Sequence, residues 1–439
     1  MVFDVIIGRN ETDMKKFGKE GTIFLGRSYV KMGQYTSLSN NIHMDVLRSH
    51  VIYVAGKRGS GKSYSIGVIA EGMSLLPKKV SKNIACIILD TMGIFWTMKY
   101  ENEKDLELLN EWKLNPKKVN VKIYTPQGYF EKYKKEGIPT DFSFSIAPKE
   151  LTAEDWRLAF ELEKNNPASI IIEKVINDLK EKEADFSIDD IIRSIKKESL
   201  NKETKMAALN MFENVQNWGL FSEESTPMKD ILKGGEISVV DISCYSSGKG
   251  GWGVKSLVTG LLCKKIFMER MESRKEEEYE TIEAGESLFS ETSEKEWLPQ
   301  AWIFIDEAHE FLPKKGKTAA TEALIAILRE GRQPGVSLVL ATQQPGKIHG
   351  DVMTQSDIVI SHIVTSKSDV EALNSMNQSY LVSDLVTYLN NLPKEKGAGL
   401  ILDDNSERIY PMKIRPRFTW HGGESPIALK KEKKFELDF

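Results

Sequence analysis

The stretch Val51-Ile52-Tyr53-Val54-Ala55-Gly56-Lys57-Arg58-Gly59-Ser60-Gly61-Lys62-Ser63 decides the fold. An apolar run reads as a buried strand, it ends in a glycine, and the pattern G-x-x-x-x-G-K-S follows at once. Gly56, Gly59 and Gly61 let the backbone turn tightly and aim successive amides at one point, and Ser63 to Met73 reads as the helix that continues the chain. Those amides and the positive end of the helix make a cradle for the phosphates of a nucleotide. The pattern assigns Gly56, Arg58, Gly59, Ser60, Gly61, Lys62, Ser63 and Tyr64 to nucleotide binding. Lys62 would reach the β- and γ-phosphates as a point charge. The Ser63 hydroxyl would be a ligand to Mg²⁺, a small cation that takes hard oxygens and keeps most of its waters. ATP and Mg²⁺ are the expected cofactors.

Working outward, Ile84 to Leu89 reads as a second strand ending at Asp90, and Val121 to Tyr124 as a third. Strands alternating with helices predict an α/β fold with a mainly parallel sheet. Residues 1–45 hold short β-like runs between glycines, and 46–149 read as the first part of a P-loop NTPase core. From 150 to 232 the period becomes helical, which predicts an all-helical insertion. Thr152 followed by Asp155, and Ser187 followed by Asp190, have the spacing of helix-start caps. Residues 233–415 return to strands and complete the core. They include a helix over about 254–271, an acid-rich segment over 272–298 that reads as a solvated linker, and a closing hairpin near the end. Residues 416–439 read as a tail.

The 439 residues exceed one ordinary domain, which suits a core with insertions. A net charge of −4 excludes a surface uniformly coated in basic groups, so nucleic acid would have to be met by a local patch. Cys86, Cys244 and Cys263 lie far apart without C-x-x-C spacing, which fits buried thiols rather than disulfides or zinc. No stretch is apolar for long enough to span a membrane or to resemble a secretion signal, so a cytoplasmic location is expected.

Hydrolysis of a nucleoside triphosphate needs a phosphate cradle, a metal anchor, a group that orients water, and positive charge at the γ-phosphate. Ala301-Trp302-Ile303-Phe304-Ile305 is a strand that ends in two adjacent carboxylates, Asp306 and Glu307. Asp306 is placed to hold the Mg²⁺ shell, and Glu307 to polarise the attacking water. The strand Val336 to Thr342 ends at Gln343-Gln344, either of which, Gln343 first, suits contact with the γ-phosphate or its water. Arg329 and Arg332, at the end of a helix starting near Thr318, are candidates for an arginine that completes the site of an adjacent subunit.

Taken together, Gly-Lys-Arg-Gly-Ser-Gly-Lys-Ser, Ile-Phe-Ile-Asp-Glu-Ala-His, Leu-Arg-Glu-Gly-Arg-Gln-Pro-Gly and Ala-Thr-Gln-Gln-Pro-Gly-Lys-Ile-His resemble the HerA-type ATPases of the HerA/FtsK branch of P-loop motors. The resemblance covers roughly residues 45–415. It implies a RecA-like core and a homo-hexameric ring that hydrolyses ATP at subunit interfaces and moves double-stranded DNA through a central pore. A nuclease or other effector partner in DNA end processing or antiphage defence is also implied, with no membrane role. By motif position, Lys62 and Ser63 carry over as nucleotide and Mg²⁺ ligands, Asp306 and Glu307 as metal anchor and catalytic carboxylate, Gln343 as sensor, and Arg332 or Arg329 as the trans-acting finger. One departure concerns the N-terminus. Family members usually begin with a longer β-barrel than the 50 residues before Val51 allow, so a reduced or absent barrel is expected here.

A translocating ring needs pore-facing cations that touch phosphates without reading bases. The candidates are Lys314, Lys315 and Lys317, with Lys99 and Lys347 as weaker ones. Two readings stay open: a DNA motor, or a nucleotide-controlled ring scaffold that assembles and activates an effector enzyme without processive movement on DNA.

Overall fold

The computed structural model describes residues 4–32, 35–182, 185–199, 201–247, 251–286, 297–374 and 385–423. Among them, thirteen strands form one sheet in the order β1-β3-β2-β13-β12-β11-β4-β10-β9-β5-β8-β6-β7. In chain order these are β1 (Val5–Ile7), β2 (Thr22–Met32), β3 (Tyr35–Asp45), β4 (Val51–Ala55), β5 (Ile84–Asp90), β6 (Val121–Pro126) and β7 (Phe142–Phe144). They continue with β8 (Ile237–Asp241), β9 (Gln300–Ile305), β10 (Val336–Thr342), β11 (Ile358–His362), β12 (Ala398–Asp403) and β13 (Arg408–Ile414).

From β11 to β7 every neighbouring pair is parallel. β12, β13, β2 and β3 then continue the sheet antiparallel. Parallel strands need helical crossovers, so both faces become covered and the strands read as continuous apolar runs. The sequence shows this directly: β5, β10 and β11 are buried along their whole length. Alternate residues enter opposite cores. Tyr53 and Ala55 of β4 pack with the later helices, whereas Ile52 and Val54 pack with the helix Lys62–Ser74 and the N-terminal strands.

Between β7 and β8 lie the helices Ala153–Ala159, Pro167–Glu181, Ile188–Lys197 and Lys202–Gln216. Thr152 and Ser187 both form capping boxes with the aspartates three residues on, as their spacing predicts. These helices have no core of their own. Trp156, Ile172, Ile191 and Phe212 belong to the cluster that also holds Leu340 and Ile303 of the sheet.

Three expectations need correction. The segment read as a helix to about 271 followed by an acidic linker is one helix, Gly251–Glu286, and residues 287–296 lie outside the described residues. Its charges sit at helical spacing: Arg274 pairs with Glu277 and Glu278, and Arg270 with Glu277, so an acid-rich stretch becomes a self-bracing surface helix. The N-terminal strands do not close a reduced barrel of their own among the described residues, because β2 pairs with β13 and extends the main sheet. The tail boundary at 416 falls inside packed structure, since Arg417 and Thr419 are buried; residues 424–439 lie outside the described residues.

What packs them is Glu71, fully buried on the helix Lys62–Ser74. Its carboxylate accepts from Arg415 Nη1 at 2.6 Å, from the amides of Phe418 and Thr419, and from the Thr419 hydroxyl. Gly67 on that helix leaves room for the Arg417 guanidinium, which a Cβ there would meet at 2.5 Å and displace. No helix among the described residues is long and apolar enough to cross a membrane.

Candidate nucleotide site

The site lies at the C-terminal edge of the parallel block, where β4, β10 and β9 are neighbours. β4 delivers the chain to the loop Gly56–Gly61. Gly59 and Gly61 have φ values of 75° and 116°, in the region that glycine adopts without strain, and Gly61 is the N-cap of the helix Lys62–Ser74. No side chain caps that helix, so its first amides remain available to an anion. Lys62 is buried and donates from Nζ to the Lys57 carbonyl at 3.1 Å. Burial lowers its pKa, against the opposing pull of Asp306 and Glu307.

Two positions from β4 in strand order, β9 ends at Ile305 and Asp306 follows it. The Ser63 hydroxyl donates to Asp306 Oδ2 at 2.5 Å, a short charge-assisted bond that joins the two proposed metal ligands. Burial raises the Asp306 pKa; the Ser63 bond opposes this and the neighbouring Glu307 reinforces it. A divalent cation in this place would reverse the balance, because its charge favours the carboxylate. The donor set fits Mg²⁺: one hydroxyl and one carboxylate oxygen beside a phosphate cradle, leaving the other positions to phosphate and water. Among the described residues no group of three or more His, Cys, Asp or Glu could hold a metal by itself.

Glu307 follows in a left-handed conformation, φ 53° and ψ 43°, and its amide donates to Asp306 Oδ1 at 2.9 Å. A non-glycine residue held there costs about 1–3 kcal/mol, which neighbouring structure must offset, and such residues gather at functional sites. The Gln343 amide, at the tip of β10, donates to Glu307 Oε1. Gln344 turns elsewhere, with Nε2 2.9 Å from His309 Nε2. The two glutamines left open as alternatives thus do different things, and only Gln343 touches Glu307.

Lys62, Ser63, Asp306, Glu307 and Gln343 come together; other candidates do not. Arg58 is exposed on the loop. The Tyr64 side chain is turned to the C-terminal segment, its hydroxyl accepting from the Arg417 amide at 2.7 Å and its ring meeting His421 edge-on. Arg329 is exposed and paired with Asp351 at 2.7 Å, and Arg332 is exposed four residues before β10 begins. Both arginines are at the N-terminal edge of the sheet, and the seven residues of β10 separate them from the phosphate loop by roughly 20 Å.

The lysine candidates divide. Lys314 and Lys315 are exposed, and the Lys314 amide donates to the Lys347 carbonyl, so the loop after Glu307 and the loop after Gln344 are joined and carry Lys347 on the same surface. Lys317 pairs with Glu322, and Lys99 is tied to Asp141 at 2.6 Å.

Sequence reasoning missed His362, at the tip of β11. It is fully buried beside Gly56, with Nδ1 3.1 Å from the Ala398 carbonyl and Nε2 2.8 Å from Ser65 Oγ. Burial lowers its pKa to about 4, so the ring is neutral, donates to the carbonyl and accepts from the serine on the phosphate-loop helix. The available signal is a histidine that ends the short strand Ile358–His362, straight after Ser361.

Comparison with known proteins gives a consistent picture. A family model described as "Helicase HerA, central domain" matches residues 27–266, and one described as "Zonular occludens toxin (Zot)" matches 257–368. A probable DNA double-strand break repair helicase HerA of Methanocaldococcus jannaschii is 25% identical over 210 residues, 46% of this chain and 41% of the relative. DNA double-strand break repair helicase HerA of Pyrococcus furiosus is 27% identical over 173 residues, 37% of this chain and 30% of the relative. The chain thus spans well under half the length of the curated relatives it matches. Among solved structures, VirB4 of Thermoanaerobacter pseudethanolicus aligns with a TM-score of 0.52 at 11% identity, over 90% of this chain and 96% of that one, a likeness of fold.

Proposed function

This chain belongs to the family of the HerA helicase central domain, and from that premise we propose that it is an ATPase whose hydrolysis drives movement along double-stranded DNA, working as a homo-hexameric ring. The observation that carries the reading is the division of the site. The phosphate loop, Ser63, Asp306, Glu307 and Gln343 gather at one edge of the sheet, while Arg329 and Arg332 stand at the opposite edge. Neither arginine can reach the phosphates of its own subunit, so each is available only to a neighbour's site, which a ring supplies.

The roles follow from the contacts. The loop amides and Lys62 hold the triphosphate; Lys62 exchanges the Lys57 carbonyl for phosphate oxygens. Ser63 and Asp306 would hold Mg²⁺, which would supply charge neutralisation at the phosphates when bound with ATP. Glu307 orients and polarises the attacking water once its Oε1 is free of Gln343, so the glutamine both masks the carboxylate and answers to the γ-phosphate. The joined loops that carry Lys314, Lys315 and Lys347 follow Glu307 within eight residues and Gln344 within three, which supports DNA contact there and its coupling to the nucleotide state. A nuclease or other effector enzyme, in DNA end processing or defence, belongs to the same proposal through the family.

The test is ATP turnover with and without duplex DNA, together with the mass of the assembled particle. Several-fold stimulation by duplex DNA in a ring of six supports the motor. Hydrolysis indifferent to DNA in the same ring favours the scaffold that activates an effector. A monomer in the presence of ATP and Mg²⁺ refutes both.

A further inference from the structure

Glu307 has one oxygen in use and one unanswered. Oε1 accepts from Gln343, whereas Oε2 is buried and has no hydrogen-bond partner among the described residues. A buried carboxylate oxygen left alone is costly, at about 1–3 kcal/mol or more, and such orphans mark a group waiting for a partner. A donor candidate, His309 Nδ1, lies 3.6 Å away, just outside hydrogen-bond distance. In this state Nδ1 lies 3.0 Å from the Thr342 hydroxyl.

The far side of the ring decides whether Nδ1 can donate. Nε2 faces two competing groups, the Gln344 amide at 2.9 Å and Glu310 Oε1 at 3.1 Å. An amide donor requires Nε2 to accept, which puts the proton on Nδ1; a carboxylate acceptor requires the reverse. Of the two, Gln344 is the closer, and its pairing corresponds to the tautomer that Glu307 needs. Gln343 and Gln344 are consecutive at the tip of β10, so any movement of that tip is felt by Glu307 directly and by His309 through its tautomer. The ring also has room to shift. A cavity of about 540 Å³ opens beside it, lined by Trp252, Ser256, Glu310, Pro313 and Thr318.

We propose that His309 is a positioning residue for Glu307: its Nδ1–H takes up the unpartnered Oε2, and Gln344 holds the ring in the tautomer that allows this. Oε1 is then left free for water when Gln343 withdraws. The inference rests on the reading of Glu307 as the water-orienting carboxylate. A glutamate fixed by only one flexible amide would sample orientations that waste the geometry, and a misplacement of about 1 Å costs up to ~100-fold in rate.

The experiment uses the full chain and compares His309→Ala, His309→Asn and His309→Gln with Glu307→Gln as the control, measuring kcat, KM, affinity for a non-hydrolysable ATP analogue and melting temperature. Asparagine keeps a donor in the place of Nδ1, and glutamine in the place of Nε2. The expected result is a kcat about tenfold lower or more for the alanine and glutamine variants, recovery to within about threefold for asparagine, and analogue affinity unchanged within about twofold. A purely structural histidine would not distinguish asparagine from glutamine. Equal kcat in those two variants, or an alanine variant within about twofold of the parent, overturns the proposal. Full turnover by Glu307→Gln would instead overturn the reading of Glu307 on which it rests.

Discussion

Replacing His50 by glutamine should change how the protein's stability depends on pH. His50 precedes β4 and is fully enclosed, with Nδ1 2.6 Å from Asp357 and Nε2 3.3 Å from Asp45, which in turn holds Arg9. Burial alone would lower its pKa. The carboxylates of Asp357 and Asp45 overcome that and raise it from 6.5 to about 9, so the folded protein holds an imidazolium between two anions. Because the folded value lies above the unfolded one, this stabilisation is fully present below about pH 6.5 and is lost as pH rises through about 9. At ~1.4 kcal/mol per pKa unit the loss is about 3 kcal/mol. With ~2.1 cal/mol/K per residue, 439 residues give an unfolding entropy of about 0.9 kcal/mol/K, so the loss corresponds to roughly 3 °C. Melting curves from pH 6 to pH 10 for both proteins are the assay. The parent's advantage over His50→Gln should be largest at pH 6 and shrink by about 3 °C towards pH 10. A difference that stays level across that range, or grows with pH, would refute the charged-histidine account.

Three other outcomes are expected. Glu307→Gln and Arg332→Ala should each be nearly inactive alone, yet mixed rings should regain part of the activity, since some interfaces then combine an intact Glu307 with an intact arginine from the neighbour; if Arg329 is the finger, only its alanine variant complements. Glu71→Gln removes the anion that Arg415 and the amides of Phe418 and Thr419 share, and breaking a buried pair costs about 3–5 kcal/mol, or roughly 3–5 °C by the same conversion, readable in a thermal melt. The combined change of Lys314, Lys315 and Lys317 to alanine should weaken duplex binding about equally for all sequences and flatten its salt dependence, and unaltered binding would remove this loop from the DNA surface.

How far the sequence could be read depended on the range of each interaction. The phosphate loop was legible because its function lies in consecutive backbone amides; strand before and helix after are visible within some twenty residues. Asp306 and Glu307 were legible because two adjacent carboxylates at the tip of a wholly apolar strand repel each other and resist burial, a cost that a cation or a bound phosphate group offsets. The acid-rich stretch was misread as a linker, since composition alone hid that Arg270 and Arg274 meet Glu277 and Glu278 at helical spacing. His309 sits inside the Asp-Glu-Ala-His motif and His362 at the end of a strand, and neither carries a local sign of its role. Their partners, Gln344 at the tip of β10 and Ser65 on the helix after β4, are brought to them only by the tertiary fold.

By itself the sequence determined the class of fold, the nucleotide cradle and the two carboxylates, because these follow from local backbone geometry and from strands buried on both faces. Only the tertiary structure decided which residues meet across the sheet. The order β4-β10-β9 lays the tip of β10 between the phosphate loop and Asp306, and so sets Gln343 on Glu307 and Gln344 on His309. It also carries Arg329 and Arg332 to the far edge, roughly one strand length from the phosphates. No local pattern encodes a distance across a sheet. It is fixed by which strands pair and in what register, and here that pairing holds the arginines away from their own subunit's phosphates, which is the placement a trans-acting arginine needs.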